Sequence, residues 1–415
     1  MMKQSKILLP AILGNALEYY EFSIFAVFAI QIGQTFFPNY TSVNQILATL
    51  TLFGIGFVSR PIGSALFGHI GDKLGRKKSL VLTITGMSIA TFGIGLMPSY
   101  DNIGIVAPIA LLLLRLLQGF FIGGEGAGSA VYVLEHELKI DKNIVGGLLI
   151  SSNVSGIIIA SIVGLVITKT VGLDSTSWRY AFIAGGIAGL IISYMRLTLP
   201  ESEKFNKLTK EEKHSVPVVK LFTLYWKQVL VVVSFAGFSA GVSYTIKGYL
   251  AVHFQKFMNM PPDESFLLLM FTTTIYAILP PIWGIVSSKY SYRSFIRVTS
   301  ILIILLYIPI FILISSDNYI AMLSGLTILA MLASAICTPI YIYFSDLFPT
   351  SLRYSGVAVS FNIGITLFGG FTPVISTYLV DHTGNIYAPA FYIMIMAAVY
   401  IALESYMHGK IEYFE

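Results

Sequence analysis

The sequence predicts an all-α polytopic membrane protein with twelve transmembrane helices in two pseudo-symmetric six-helix bundles. Two observations predict this fold class. Of the 415 residues, 55% are hydrophobic and only 11% are charged, whereas a soluble domain carries about 25% charged residues. The apolar residues also fall into long continuous runs, each of about the 20 residues that a helix needs to cross a bilayer. Both features require an apolar solvent around the chain.

Twelve apolar runs follow one another along the chain. They are 8–36, 46–69, 79–98, 105–134, 144–168, 178–198, 226–252, 264–288, 295–315, 319–345, 353–380 and 387–408. Their apolar residues are continuous, unlike the alternating ten-residue strands of a membrane β-barrel. The first run contains Asn15, Glu18 and Glu21, which the apolar centre of a signal peptide excludes. We therefore expect this first segment to be retained as a helix.

The distribution of basic residues predicts the orientation in the membrane. Lysines and arginines favour cytoplasmic loops, and an inside N-terminus places most of them there, Arg196 included. Only Lys169 and Lys256 then fall in outside loops, with Arg179 at an outer helix end. Both termini are expected in the cytoplasm. The net charge of +5 follows from this topology and does not indicate a nucleic-acid partner.

A polar stretch at 200–225 divides the apolar runs six and six. It predicts three regions: a bundle at 1–199, a cytoplasmic linker at 200–225 and a second bundle at 226–415. The two halves also resemble each other. Ser151-x-Asn153-x-x-Gly156 is echoed by Ser360-x-Asn362-x-Gly364, and the loop 68–78 is echoed by 284–293.

Six ionisable residues lie well inside the predicted helices. Each charge at the middle of a bilayer costs about 2.5–3.5 kcal/mol, so these residues must face a polar cavity or pair with one another. Both interpretations stay open at this point. The six are Glu18, Glu21, Arg60, Arg115, Glu125 and Lys247.

Helical spacing favours the cavity. Arg115, Gln118, Glu125 and Ser129 lie within about 80° of arc on the fourth helix at 100° per residue. On the first helix Asn15, Glu18 and Phe22 share a face, and Glu21 is adjacent to it. Ser243 and Lys247 form an i,i+4 pair on the seventh helix. A carboxylate such as Glu18 or Glu125 is then a candidate proton carrier.

The loop after the second helix carries the first family resemblance. The sequence Gly68-His-Ile-Gly71-Asp72-Lys73-Leu-Gly75-Arg76 resembles the loop motif of the major facilitator superfamily. The resemblance implies a latch at the cytoplasmic mouth that opens and closes with alternating access. Glycines allow the helix ends to approach closely, and the acid and bases form the contact.

Further motifs resemble one branch of that superfamily, the metabolite:proton symporters that include bacterial proline/betaine, α-ketoglutarate, citrate and shikimate transporters. They are Gly14-Asn15-Ala16-Leu17-Glu18-Tyr19-Tyr20-Glu21-Phe22, Arg60-Pro61-Ile62-Gly63, Arg115-x-x-Gln118-Gly119 with Gly123-Gly124-Glu125, Glu135-His136, and Phe348-Pro349-Thr350-x-x-Arg353. Two departures stand out. The family usually has Trp-Tyr-Asp where this chain has Tyr19-Tyr20-Glu21, and the echo at 287–293 lacks the expected Asp and Gly.

The resemblance implies the candidate site residues. Those expected to bind substrate are Asn15, Glu18, Tyr19, Arg60, Arg115, Gln118, Lys247 and Asn362. Those expected to couple a proton are Glu18, Glu21 and Glu125. Those expected to gate the pathway are Gly68, Gly71, Asp72, Gly75, Arg76, Glu135 and Arg353.

The expected function is import of a small polar metabolite with a co-transported proton by alternating access. Acids and bases balance among the six intramembrane charges, which favours a zwitterion such as proline or glycine betaine; an organic acid bound by the three bases is the alternative. A membrane enzyme fits the sequence less well, because we find no catalytic dyad in it. A non-transporting sensor also fits less well, because we find no signalling domain. We expect a monomer in a bacterial cell membrane, contacting the lipid bilayer, with no metal and no cofactor.

Overall fold

The computed structural model describes residues 2–136, 138–172, 176–209 and 217–414, and every regular element in these ranges is a helix. This confirms the predicted all-α fold class. The helices up to residue 206 are α1 Met2–Val27, α2 Ala29–Phe36, α3 Ser42–Val58, α4 Arg60–Lys73, α5 Arg76–Leu96, α6 Tyr100–Ile103, α7 Val106–Leu134, α8 Lys142–Thr170, α9 Trp178–Leu197 and α10 Glu203–Asn206.

The remaining α-helices follow the same pattern of long apolar elements joined by short turns. They are α11 Pro217–Leu224, α12 Trp226–Tyr244, α13 Leu250–Val252, α14 Pro262–Ser288, α15 Tyr292–Ile314, α16 Tyr319–Cys337, α17 Ile340–Asp346, α18 Arg353–Gly364, α19 Thr372–Thr383 and α20 Ala388–Met407. Part of the predicted linker, residues 210–216, lies outside the described residues.

Ten helical stretches within the described ranges are long and apolar enough to cross a membrane. The predicted run 8–36 forms α1 and α2, which are separated at Phe28, and the run 46–69 forms α3 and α4, which meet at Ser59. These two runs account for the difference between ten spans and the twelve predicted. The count of twelve and the cytoplasmic termini stay predictions.

In the part of the chain that the structure describes, there are three π-helical turns, at Thr245–Tyr249, His253–Phe257 and Ile365–Gly369. The first and third interrupt predicted helices, and the second follows the predicted run 226–252. A π turn inserts one residue into the helical ladder, and such turns are frequent at functional sites. The first contains Lys247. Hydropathy did not predict these turns, because they depend on the local hydrogen-bond ladder and not on polarity.

The chain packs into two compact units. The first comprises Met1–Glu137, Ser152–Val218 and Thr350–Val359; the second comprises Leu138–Ser151, Val219–Pro349 and Ser360–Glu415. The chain thus passes from one unit to the other within α8 and again within α18. The predicted boundaries at 199 and 226 stay a prediction.

Glycines set the packing inside the first unit. A Cβ on Gly63 of α4 would overlap the carbonyl oxygen of Phe120 on α7, and a Cβ on Gly119 would overlap the carbonyl oxygen of Gly56. Helices α3 and α4 therefore lie directly against α7, backbone to backbone, as small residues allow in membranes. This approach places Arg60 and Arg115 on neighbouring helices.

Candidate functional site

A chain of polar side chains crosses the first unit between α1, α5 and α7; we call it the polar relay. Glu21 Oε2 accepts hydrogen bonds from the Thr91 hydroxyl (2.5 Å) and from Gln118 Nε2 (3.2 Å). Gln118 Nε2 also donates to Thr91 Oγ1 (2.7 Å), and Arg115 donates to Gln118 Oε1 (2.5 Å). All four residues are buried. The relay connects a carboxyl group to a guanidinium group through a single amide side chain.

The carboxyl group of Glu21 is satisfied on one side only. Within the described part of the chain, its Oε1 is buried and has no hydrogen-bond partner. A proton on Oε1 would leave the Thr91 hydrogen bond to Oε2 intact. Oε2 also contacts Gln118, which in turn accepts from Arg115.

Arg60 lies in an aromatic environment formed by Phe22 of α1 and Phe57 of α3, which we call the ring pair. The Arg60 Cζ atom is 4.4 Å from the centre of the Phe57 ring and 5.2 Å from that of Phe22. The two rings meet edge to face at 5.0 Å and 83°. Arg115 has a similar contact, with its Cζ 4.0 Å from the Phe25 ring centre. Cations within about 6 Å of a ring centre are attracted by the ring's negative face.

Two more predicted residues of α1 are buried beside this region. Asn15 is fully buried, and neither its amide nitrogen nor its amide oxygen has a hydrogen-bond partner among the described residues. Glu18 is 6% exposed and lies against Gly126 of α7, where a Cβ would come within 3.0 Å of Glu18 Oε2. Tyr19, on the neighbouring face, is half-buried. The Asn15 side chain thus keeps both its donor and its acceptor unused within the described part of the chain.

Glu125 has a different environment from Glu21. It forms a buried ion pair with Arg196 of α9 (2.5 Å) and accepts a hydrogen bond from Thr83 (2.7 Å). Arg196 also donates to the carbonyl oxygens of Leu80 (3.1 Å) and Pro10 (3.2 Å). Sequence reasoning counted Arg196 among the cytoplasmic basic residues and so did not predict this pair.

Lys247 and Asn362 belong to the second unit. Lys247 lies in the first π turn, with Nζ 5.4 Å from the Tyr276 ring centre and 5.9 Å from that of Tyr244. The Tyr276 hydroxyl donates to Ser243 (3.1 Å), so both members of the predicted Ser243–Lys247 pair contact Tyr276. Asn362 is buried in α18.

The predicted gating residues form a second polar cluster in the first unit, which we call the latch cluster. Arg76 is its centre: it contacts Asp72 at 3.0 Å and Glu135 at 3.0 Å, and it donates to the carbonyl oxygen of Thr350 (2.6 Å). Asp72 accepts from the backbone N–H groups of Tyr354 (3.1 Å) and Ser355 (2.8 Å).

Glycines and neighbouring polar groups complete the latch cluster. A Cβ on Gly68 would approach Ser355, and one on Gly71 would approach the Tyr354 ring, so both glycines give the segment Thr350–Val359 room to lie there. Gly75 has φ +116°, which only glycine adopts readily. Glu201 then accepts from the Arg76 backbone N–H (2.9 Å) at the start of α5. Arg353 lies 3.9 Å from Glu135.

The pKa values of Asp72 and Glu135 in the latch cluster are shifted in opposite directions. Burial raises the pKa of Asp72 to about 6, against the opposing effect of Arg76 and the backbone donors. Burial alone would raise the pKa of Glu135 as well, but Arg76 and the Ser202 hydroxyl hold it below its ordinary value. Glu135 is therefore charged at neutral pH and Arg76 keeps its partner.

A metal site was not expected, and the described residues contain no group of three or more His, Cys, Asp or Glu side chains placed to hold a metal ion.

Comparison with known proteins gives the family. The family model of the Major Facilitator Superfamily matches residues 11–364. The glycine betaine/proline/ectoine/pipecolic acid transporter OusA of Dickeya dadantii is 32% identical over 407 residues, covering 95% of this chain and 81% of that protein. The proline/betaine transporter of Escherichia coli is 32% identical, covering 96% and 82%. A putative proline/betaine transporter of Staphylococcus aureus is 32% identical, covering 98% and 88%.

Solved structures agree on the fold. A double tryptophan mutant of XylE superimposes with a TM-score of 0.81 at 15% identity, over 99% of this chain and 96% of that one. The proton:xylose symporter XylE bound to a bromo-deoxyglucose gives a TM-score of 0.78 at 16% identity, over 99% and 96%. The helical fold, the intramembrane charges and these relatives lead to one conclusion: the chain is a multi-pass membrane transporter of a small solute, not an enzyme, and it belongs to the major facilitator superfamily.

Proposed function

We propose that this protein imports a small zwitterion such as proline or glycine betaine together with a proton, by alternating access across a bacterial cell membrane. The observation that carries the proposal is the polar relay, in which a protonatable carboxyl group and a guanidinium group share one amide. A symporter needs such a connection, because binding of the proton and binding of the solute must influence each other. The solutes for which the relatives are named support the choice of solute.

In this proposal Arg60 and Arg115 bind the carboxylate of the solute. Planar guanidinium groups form paired hydrogen bonds with carboxylates, and the two lie on helices that pack closely. Asn15 and Glu18 contact the solute from α1, and Glu21 carries the proton. The relay then gives the coupling a direct path from Glu21 Oε2 to Gln118 and Arg115.

Glu125 has a structural role in this proposal. Its Oε1 lies in the ion pair with Arg196, and its Oε2 accepts hydrogen bonds from Thr83 and from Arg196. Lys247 and Asn362 are also expected to bind the solute, and the π turn at Lys247 gives that helix the irregular backbone on which transporters place polar contacts. The latch cluster gates the pathway by holding or releasing the segment 350–359. The protein acts as a monomer with lipid around it.

The alternative solute is an organic acid such as α-ketoglutarate. The presence of two buried guanidinium groups near one another favours it. A zwitterion also needs a site for its positive group, whereas an organic acid does not. Binding of a cation at the ring pair would therefore distinguish the two solutes.

Uptake by proteoliposomes tests the proposal. Radiolabelled proline, glycine betaine and α-ketoglutarate are offered with and without an inward proton gradient. Accumulation of proline or betaine above the external concentration, abolished by a protonophore, is the expected result. Accumulation of α-ketoglutarate alone would favour the alternative, and accumulation driven by sodium would contradict proton coupling.

The variant Glu21→Gln tests the proton role. An amide cannot exchange the proton, so accumulation driven by the gradient is expected to fall to simple equilibration. Exchange of labelled for unlabelled solute at equal pH should continue, because it needs no net proton movement. Glu125→Gln is the matched control: concentrative uptake per folded molecule should persist there. Loss of coupling in the control and not in Glu21→Gln would assign the proton to Glu125.

A further inference from the structure

The ring pair holds a cation of the protein where a ligand cation would fit. The Arg60 Cζ atom lies 4.4 and 5.2 Å from the two ring centres. A trimethylammonium nitrogen binds aromatic faces within about the same distance, and aromatic cages are the common means of recognising such groups. The guanidinium and a quaternary ammonium are also both weakly hydrated cations, so they place similar demands on the rings.

Arg60 is buried with part of its guanidinium group unsatisfied. It is 7% exposed, and within the described ranges its Nε has no hydrogen-bond acceptor. The positive charge of Arg115 lies close enough to repel it. A buried charge is costly unless it is paired, and the rings of Phe22 and Phe57 provide the attraction that this position offers.

We propose that Phe22 and Phe57 are the subsite for the ammonium group of the solute, and that Arg60 occupies this subsite until the solute arrives. The solute's carboxylate gives Arg60 a stronger partner, because a charge-assisted bidentate bond exceeds a ring contact. Arg60 then leaves the rings, and the solute's ammonium takes its place. The exchange leaves each buried charge with a partner.

This exchange explains how the site selects a zwitterion over a simple organic acid. An organic acid would also draw Arg60 away, but it would leave the two rings without a cation. A cation without a carboxylate would find the rings occupied by Arg60. Only a solute with both groups satisfies the site. The inference rests on the proposed function for the class of solute, and it adds the position of the cation and the competitor for it.

The variant Arg60→Gln tests whether Arg60 competes with a ligand cation for the ring pair. Removing Arg60 vacates the rings, so tetramethylammonium, a cation with no carboxylate, should bind about 2- to 30-fold more tightly than to the unmodified protein, the range of one cation–π contact. Glycine betaine should bind more weakly, because its carboxylate loses a partner. The carboxylate 3,3-dimethylbutanoate, which has the shape of betaine without the positive charge, should also weaken. Equilibrium binding of each labelled probe to purified protein measures these changes.

Two further variants make the result specific. Arg115→Gln removes the same charge from the neighbouring helix but leaves the ring pair occupied, so it should not gain affinity for tetramethylammonium. Adding Phe57→Leu to Arg60→Gln should abolish the gain. A gain of equal size in Arg115→Gln, or one that survives Phe57→Leu, would overturn the subsite, since the effect would then be general electrostatics. No gain in a folded Arg60→Gln protein, judged by its unfolding midpoint, would overturn it as well.

The proposed function can fail separately. If betaine and proline do not accumulate in proteoliposomes while Arg60→Gln still gains tetramethylammonium, the cation subsite stands and the solute assignment is wrong. If betaine accumulates and Arg60→Gln gains nothing, the transport proposal stands and the exchange is wrong.

Discussion

The buried residues Glu21 and Glu125 show how one side-chain type takes two environments in the same bundle. Glu125 faces Arg196, which holds it in an ion pair 2.5 Å long. Glu21 faces the neutral donors Thr91 and Gln118. The proposal that Glu21 carries the proton rests on this difference in partners, since a countercharge holds Glu125 in its ionised form.

Removing Arg196 should destabilise the protein strongly. In Arg196→Gln the carboxylate of Glu125 stays buried without a countercharge, and breaking such a pair costs about 3–5 kcal/mol. The double variant Glu125→Gln/Arg196→Gln leaves no unpaired charge and should be destabilised less than the single variant. Unfolding midpoints in detergent measure both. Equal destabilisation in the single and double variants would show that the unpaired Glu125 carboxylate is not what destabilises Arg196→Gln.

At this scale, the sequence predicted six charges inside the helices, but it counted Arg196 as cytoplasmic and did not predict which charges pair. Arg115, Gln118 and Glu125 share an arc of α7, and the pattern predicted that much. Their partners Thr91 and Arg196 lie on α5 and α9, and the choice of partner depends on how those helices pack. The contact of Arg60 with the ring pair was beyond prediction for the same reason, since Phe22 and Phe57 are far apart in sequence.

At the scale of elements, the close contact of α3 and α4 with α7 depends on glycines on both sides. Gly56 and Gly63 on one side and Gly119 and Gly123 on the other lie against opposing backbone atoms. The glycines at 63, 119 and 123 belong to the motifs that carry the family resemblance, and hydropathy predicted the helix lengths. The breaks at Phe28 and Ser59 and the π turns were not predicted, because they depend on the local hydrogen-bond ladder and not on polarity.

Gly63→Ala should destabilise the bundle. Its added Cβ would overlap the Phe120 carbonyl oxygen, and backbone cannot move aside as a flexible side chain can, so a loss of about 1–3 kcal/mol or more is expected. Gly54→Ala is the matched control, because a Cβ there meets nothing within 4 Å among the described residues. The control should be unchanged or more stable by about 1 kcal/mol, the difference in helix propensity. Unfolding midpoints compare them; equal effects would exclude the close approach.

On the scale of the whole molecule, the chain changes from one unit to the other at related positions. These changes come after Ser151 in α8 and after Val359 in α18. The positions coincide with the two echoed motifs that begin at Ser151 and Ser360. The chain also changes unit after Glu137, Val218 and Pro349, so the internal repeat stays a prediction. The segment 350–359 follows residue 349 of the second unit and yet packs within the first, where Asp72 and Arg76 hold it.

That segment should detach from the first unit more often when Asp72 is neutralised. Asp72→Asn weakens two backbone hydrogen bonds to a charged acceptor, and one such bond contributes about 1.5–3 kcal/mol. The detached population should then rise about 10- to 150-fold for the loss of one bond. The measurement is the rate at which maleimide labels Ser355→Cys, a buried position, with the single native cysteine changed by Cys337→Ser. Lys73→Gln, an exposed neighbour, should leave the rate unchanged. Faster labelling in both variants would reflect loosening of the loop in general, and no change in either would show that Asp72 does not hold the segment.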